Sequence, residues 1–292
     1  KVWRATISPL WEVAAMRKLL AANYSRLWKD KFYWALLAFM SVGSVVFSWM
    51  TFNTAMSTEE TYYVEDLSFN LLPMIGFVSA FFISLRVGTE FDNHTIRNKL
   101  IVGHSRTKVF FGEYLICLLA SLILLVVMLL FSGISGYILF RKFALDWKLI
   151  VQMVFCSVLL TAVFSTMFVG ISMNIHNKAV SVVVNLVFLY AILFLASFVG
   201  SALNEAEMSY EYVRITAEGG MEFGDMVKNP AYVEGIQRSI YEFIYDALPT
   251  GQAIQLNNLE YDRISRWPVF SLIMLIIATV AGYIPFRKRD IR

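Results

Sequence analysis

Few side chains in this sequence of 292 residues have types and spacings that could carry out chemistry. Its three histidines, His94, His104 and His176, are scattered, and without an HExxH motif or a Cys/His cluster we expect no metal site. The sequence has neither a GxxxxGK[ST] phosphate-binding loop nor a GxSxG nucleophile elbow, so we predict no catalytic residue and no ATP bound through that loop. Glu59 and Glu60 are adjacent, but no histidine accompanies them, and we interpret them as solvated loop acids.

Long apolar segments dominate the rest of the sequence. Hydrophobic residues make up 58% and charged residues 16%, with a mean hydropathy of +0.61, whereas soluble domains have about 25% charged residues. Six segments without Lys, Arg, Asp or Glu are long enough to cross a bilayer, which takes about 20 residues. They are residues 32–52, 67–85, 114–140, 149–175, 179–203 and 267–286. We therefore predict an all-α integral membrane protein with six transmembrane helices.

Mildly polar side chains in or beside the fourth and fifth spans are candidates for a substrate path. They are Thr161, Ser165, Asn174 and Asn185. Hydrogen bonds between helices explain these residues at least as well as a substrate path does. The predicted spans contain no carboxylate or histidine that could relay protons, which argues against a proton-driven carrier.

The distribution of charge predicts how the chain crosses the membrane. Residues 1–31, 86–113, 176–178 and 287–292 together hold 17 basic and 6 acidic residues, whereas 53–66, 141–148 and 204–266 hold 8 basic and 16 acidic ones. Because Lys and Arg near span ends favour the cytoplasmic side, we expect both termini in the cytoplasm. The basic side would meet anionic lipid headgroups, and we expect no binding of nucleic acid.

Four regions follow from this layout. Residues 1–31 form a basic amphipathic helix that we expect to lie at the cytoplasmic interface, and 32–203 hold the first five spans with a cytoplasmic loop at 86–113. Residues 204–266 form a long extracellular insertion, in which apolar residues at helical spacing predict a helix on the outer membrane surface. Residues 267–292 provide the last span and a basic cytoplasmic tail.

The loop at 86–113 has a pattern of its own. We expect Asp92 or Asn93 to cap a short helix through Leu100, with Gly103 ending it. Such a helix would keep its charged residues outside and its apolar residues beneath. The charged set is Glu90, Asp92, Arg97 and Lys99, and the apolar set is Phe91, Ile96, Leu100 and Ile101. This pattern fits either a docking site for a soluble partner or an ordinary basic connector.

The segment Glu-Phe-Asp-Asn-His-Thr-Ile-Arg-Asn-Lys at 90–99, followed by Ser-Arg-Thr-Lys at 105–108, resembles a loop of a known family. It is similar to the loop between spans two and three in permeases of ATP-binding-cassette transporters of the type-two exporter class. His94 stands where the family usually has glycine. The order of interfacial helix, six spans, external insertion and basic tail is also similar to that family.

This resemblance implies a function and a set of contacts. A coupling helix near 90–101 would sit in a cleft of a separate ATPase subunit, which carries the ATP and Mg, and the turn at 176–178 would make a second, smaller contact. The residues implied for ATPase coupling are Glu90, Phe91, Thr95, Ile96, Arg97, His176 and Asn177. The permease itself would bind no cofactor, would pair with a second permease, identical or different, and would export a substrate through a bacterial plasma membrane.

Other classes of function make different demands on the sequence. An ATP-independent channel or carrier would need no soluble partner and would be active as a purified chain. A peptide-sensing or immunity protein would bind its ligand on the insertion at 204–266. A membrane-embedded enzyme would need paired acids or a Ser/His set at membrane depth, and no such set occurs in the predicted spans.

Overall fold

The computed structural model of this chain describes residues 9–58, 61–211, 213–215 and 221–288. The helices are α1 (Pro9–Lys29), α2 (Lys31–Thr58), α3 (Val64–Asn70), α4 (Leu72–Asp92), α5 (Thr95–Ile101), α6 (Arg106–Phe140), α7 (Trp147–Ser172), α8 (Lys178–Leu203), α9 (Gly235–Ala247), α10 (Pro249–Asn257) and α11 (Trp267–Lys288). The strands are β1 (Met208–Tyr210), β2 (Val213–Ile215), β3 (Met221–Phe223) and β4 (Met226–Lys228). Glu59, Glu60 and the outer parts of the predicted leader and tail lie outside the described residues.

Six membrane-spanning elements account for most of this structure. Among the described residues, α2, α3 with α4, α6, α7, α8 and α11 are long and apolar enough to cross a membrane. The prediction of an all-α protein with six transmembrane helices is therefore confirmed. The helices extend beyond the predicted spans, because α4 continues to Asp92 and α6 already begins at Arg106.

Local sequence fixes several helix ends. Ser105 is the N-cap residue of α6, and its side chain accepts a hydrogen bond from the Lys108 backbone N–H at 3.3 Å. Asn177 is the N-cap residue of α8, and its Oδ1 accepts a hydrogen bond from the Val180 backbone N–H at 3.1 Å. Both contacts satisfy a backbone donor that the first turn of a helix leaves unpaired.

The bundle has central and peripheral helices. α4 and α7 are largely buried, whereas α2, α8 and α11 bury only one side. The outer sides of the peripheral helices are apolar, as Phe194 on α8 and Ile276 on α11 show. Apolar outer faces are what a lipid solvent requires of a transmembrane helix.

A glycine pair allows α7 and α11 to cross closely. A Cβ added at Gly282 would lie 2.5 Å from the Cα of Gly170. The Nδ2 of Asn174 donates to the carbonyls of both glycines, at 2.8 Å each. Small residues and a shared hydrogen-bonding side chain are common where membrane helices pack.

The insertion at 204–266 contains strands as well as helices. β1 pairs antiparallel with β4, and β2 pairs antiparallel with β3. These short strands were not predicted, because alternation over three residues gives too weak a sequence signal. The predicted helix of the insertion is present as α9.

Part of the insertion enters the bundle, which the sequence did not indicate. The α10 helix is almost fully buried and contacts α3, α4, α7 and α8. Thr250 Oγ1 donates to the carbonyl of Ile192 at 2.8 Å, eleven residues before Leu203 ends α8. At 1.5 Å per residue, α10 therefore reaches roughly 16 Å below the end of α8.

Candidate coupling site at the α5 end of the bundle

One end of the bundle collects the predicted coupling residues, and we call it the α5 end. The C-terminus of α11 lies there, because Arg106 Nη1 donates to the carbonyl of Arg287 at 3.2 Å. The turn before α8 lies there as well, because the rings of Phe91 and His176 are 5.0 Å apart. The structure thus brings the two predicted coupling contacts together.

The α5 helix is set off by two left-handed residues. His94 lies between α4 and α5 with a φ of +54°. Gly103 follows shortly after the end of α5 with a φ of +104°. The prediction that Gly103 ends this helix is confirmed. The predicted cap at Asp92 or Asn93 is wrong, because His94 is the N-cap residue and its side chain makes no capping bond. The left-handed φ also explains why glycine suits position 94.

The side chains around α5 do not follow the predicted division into charged outside and apolar beneath. Glu90 and Phe91 lie in the last turn of α4 and are buried, as is Lys99 on α5. By contrast, Ile101 is 71% exposed and Val102 is 79% exposed. A buried charge needs a partner, so the position of Lys99 depends on what surrounds its ammonium group.

Two glutamates surround that ammonium group. Lys99 Nζ lies 2.6 Å from Glu113 Oε1 on α6 and 2.8 Å from Glu90 Oε2 on α4. It also donates to Asn23 Oδ1 on α1 at 3.3 Å. Through one side chain, α5 is therefore bonded to three other helices.

Two arginines and Asn23 complete the cluster. Asn23 Nδ2 donates to Glu113 Oε1 at 2.8 Å, and Arg26 Nη1 donates to Glu90 Oε1 at 3.2 Å. Arg86 Nη2 donates to the Asn23 carbonyl at 3.3 Å. Asn23, Arg26, Arg86, Glu90, Lys99 and Glu113 are called the ion cluster below. Its buried members carry two positive and two negative charges, so the buried set is neutral.

Sequence reasoning missed most of the ion cluster. Glu113 fell one residue outside the predicted third span, yet it lies within α6 and is fully buried. A lone carboxylate at the start of a long apolar run was the available signal, because such a group must find a cation once it is buried. The partner could not be chosen from the sequence, since Lys99 lies on another helix.

The turn at 176–178, which is the second predicted ATPase contact, is held in place by packing between α4 and α8. Asn177 caps α8, and a Cβ added at Gly88 would lie 2.7 Å from the Cα of Lys178. The start of α8 is therefore pressed against the end of α4. Phe91 covers the same region through its contact with His176.

The remaining predicted coupling residues lie on α5 itself. Ile96 is buried and anchors the helix in the core, whereas Arg97 is exposed. Thr95 lines a cleft of about 400 Å³ between α1 and α5, together with Asn98 and Val102. The exposed side of α5 therefore combines one cation with apolar surface.

The predicted substrate-path residues are all hydrogen-bonded inside the bundle. Thr161 and Ser165 donate to the backbone carbonyls four residues earlier, each at 2.8 Å. Asn185 Nδ2 donates to Ser84 Oγ on α4 at 2.6 Å and to Ser172 Oγ on α7 at 2.8 Å. Asn174 bridges α7 and α11, as described above. All four residues thus have hydrogen-bond partners within the protein, and a part in substrate passage stays a prediction.

Taken together, the spans and the α5 end define a multi-pass membrane protein with a structured loop helix at one end. Residues 19–192 match a protein family described as ABC-2 family transporter protein. The match covers more than half of the chain, and the chain belongs to this family. It is a transport permease of the ABC-2 type, a class that works with a partner ATP-binding subunit. No curated protein matches the chain.

Proposed function

We propose that this permease moves its substrate outward through the plasma membrane, using ATP hydrolysed on a separate subunit that docks at the α5 end. ATP and Mg bind to that subunit, the α5 end faces the cytoplasm, and this chain carries out no covalent chemistry. A second permease chain completes the passage.

The observation that carries this proposal is the set of three polar contacts that the Lys99 ammonium group makes with other helices. A helix of seven residues is too short to be stable alone, so α5 depends on its anchors. The Lys99 ammonium group lies within 2.8 Å of carboxylates on α4 and on α6, and both of these helices are membrane spans. A force applied to α5 is therefore passed directly to two membrane helices.

The exposed side of α5 supports a protein partner. Ile101 and Val102 are large apolar side chains at the end of the bundle, where they lie next to the exposed Arg97. Exposed apolar residues rimmed by polar ones are typical of protein–protein contacts. We assign these three residues to the ATPase contact, with Thr95 and the cleft beside α1 at its edge.

The experiment that tests the proposal is purification of the tagged chain from its native host, with identification of what accompanies it. We expect a soluble protein with a phosphate-binding loop in a fixed ratio to the permease. The double variant Arg97→Glu with Ile101→Glu should lose at least nine-tenths of that partner, since burying an unpaired charge at an interface costs several kcal/mol.

The matched control is Lys142→Glu with Phe143→Glu, which makes the same changes in the exposed connection between α6 and α7 at the opposite end. This variant should retain its partner. If the wild-type chain stayed alone after crosslinking in the membrane, the permease would be an ATP-independent channel or carrier, and the proposal would be wrong.

A further inference from the structure

A cavity of about 530 Å³ lies at the α5 end, separate from the exposed side of α5. It is enclosed by the junction of α1 and α2, the last turns of α4 and the first residue of α8. The apolar part of its lining consists of Phe32, Phe82 and Leu85. Most of the remaining lining is charged, so the cavity offers an apolar surface and a polar surface within the same space.

The charged part of the lining carries more positive than negative charge. The basic residues are Arg26, Lys29, Arg86 and Lys178, and the acidic residues are Asp30 and Glu90. Both acids already have partners within the chain. Asp30 Oδ1 accepts from the Phe32 backbone N–H at 2.9 Å, and Glu90 binds Lys99 and Arg26.

Two cationic groups remain available to a ligand. Lys29 and Lys178 make no ion pair or hydrogen bond through their ammonium groups with the residues that the structure describes. Arg86 also lines the cavity, but it belongs to the ion cluster, because its Nε lies 3.9 Å from Glu113 Oε2 and only 6% of the side chain is exposed. The ammonium groups of Lys29 and Lys178 are therefore the donors that an anion in the cavity could use.

We propose that this cavity binds an anionic phospholipid, with its phosphate between Lys29 and Lys178. The acyl chains would lie along Phe32, Phe82 and Leu85. A soluble phosphate ester would use the cations but leave the apolar wall exposed to water, whereas a lipid covers both. The cavity adjoins the ends of three spans, at the depth where basic residues meet lipid headgroups.

The test is binding of phosphatidylglycerol to the purified full chain, measured by native mass spectrometry from micelles against phosphatidylcholine. The variant Lys29→Gln with Lys178→Gln should bind phosphatidylglycerol about 25-fold more weakly, since each lysine near the surface contributes about fivefold. Lys31→Gln is the matched control, because Lys31 is exposed at the same end but does not line the cavity. It should bind like the wild type.

Competition and comparison experiments distinguish a lipid ligand from a soluble phosphate ester and test the site itself. Glycerol 1-phosphate added at equal concentration should not displace the lipid, and displacement would show that a soluble phosphate ester is the ligand and overturn the lipid assignment. Equal binding of phosphatidylcholine, or unchanged binding by the double variant, would overturn the site itself. The unfolding transition of each variant shows whether it is folded.

Discussion

Replacement of Lys99 by methionine tests whether the ion cluster holds α5 in place. The substitution keeps the length of the side chain but leaves Glu90 and Glu113 without the cation that lies within 2.8 Å of both. Removing one partner of a buried ion pair costs about 3–5 kcal/mol, because the remaining charge is uncompensated. Glu113 retains Asn23 at 2.8 Å and Arg86 at 3.9 Å, so we expect the lower end, about 3 kcal/mol.

The assay is unfolding of the purified chain in mixed micelles with increasing sodium dodecyl sulfate. Arg97→Met is the control, since Arg97 is exposed on the same helix and its loss should change stability by less than about 0.5 kcal/mol. Adding Glu113→Gln to Lys99→Met should restore part of the stability, because it removes one uncompensated charge. If Lys99→Met were as stable as Arg97→Met, the inference that these ion pairs hold α5 would be refuted.

Two further predictions concern helix packing. Gly88→Ala should destabilise the fold by about 1–3 kcal/mol, because its Cβ would meet the Lys178 backbone, whereas Gly43→Ala has open space and should be neutral or stabilising in the same unfolding assay. Asn185→Leu breaks bonds to α4 and α7 and should cost about 1–2 kcal/mol, whereas Ser157→Ala loses a bond within its own helix and should cost less. Equal effects within either pair would contradict the packing described here.

The spans could be predicted from the sequence because the bilayer imposes a simple rule. A charge at mid-membrane is costly, so segments free of charge mark the hydrocarbon region. The same rule hid the ion cluster, because it treats every charged residue as lying outside. Glu113 and Lys99 are fourteen residues apart and satisfy each other across two helices, which no local pattern reports.

The depth of α10 was hidden for a related reason. Thr250, Gln252 and Gln255 look like residues of a solvated loop, yet all three are buried. Their polar groups are satisfied inside the protein, since Gln252 Nε2 donates to the Asp246 carbonyl and Ser271 Oγ donates to Gln252 Oε1, each at 2.8 Å. Polar residues can enter the bundle when the chain supplies every partner, and composition alone does not show where this happens.

The energetics of the ion cluster also bear on how α5 would move during transport. Replacing a buried ion pair by apolar residues is often neutral or stabilising, so net stability is a weak reason for keeping one here. In the position that α5 occupies, however, Lys99 reaches both carboxylates at once. Coupling between two sites is typically worth about 1–3 kcal/mol, which does not exceed the roughly 3 kcal/mol expected when the cluster loses Lys99. A partner that displaces α5 would therefore carry α4 and α6 with it before the ion pairs separated.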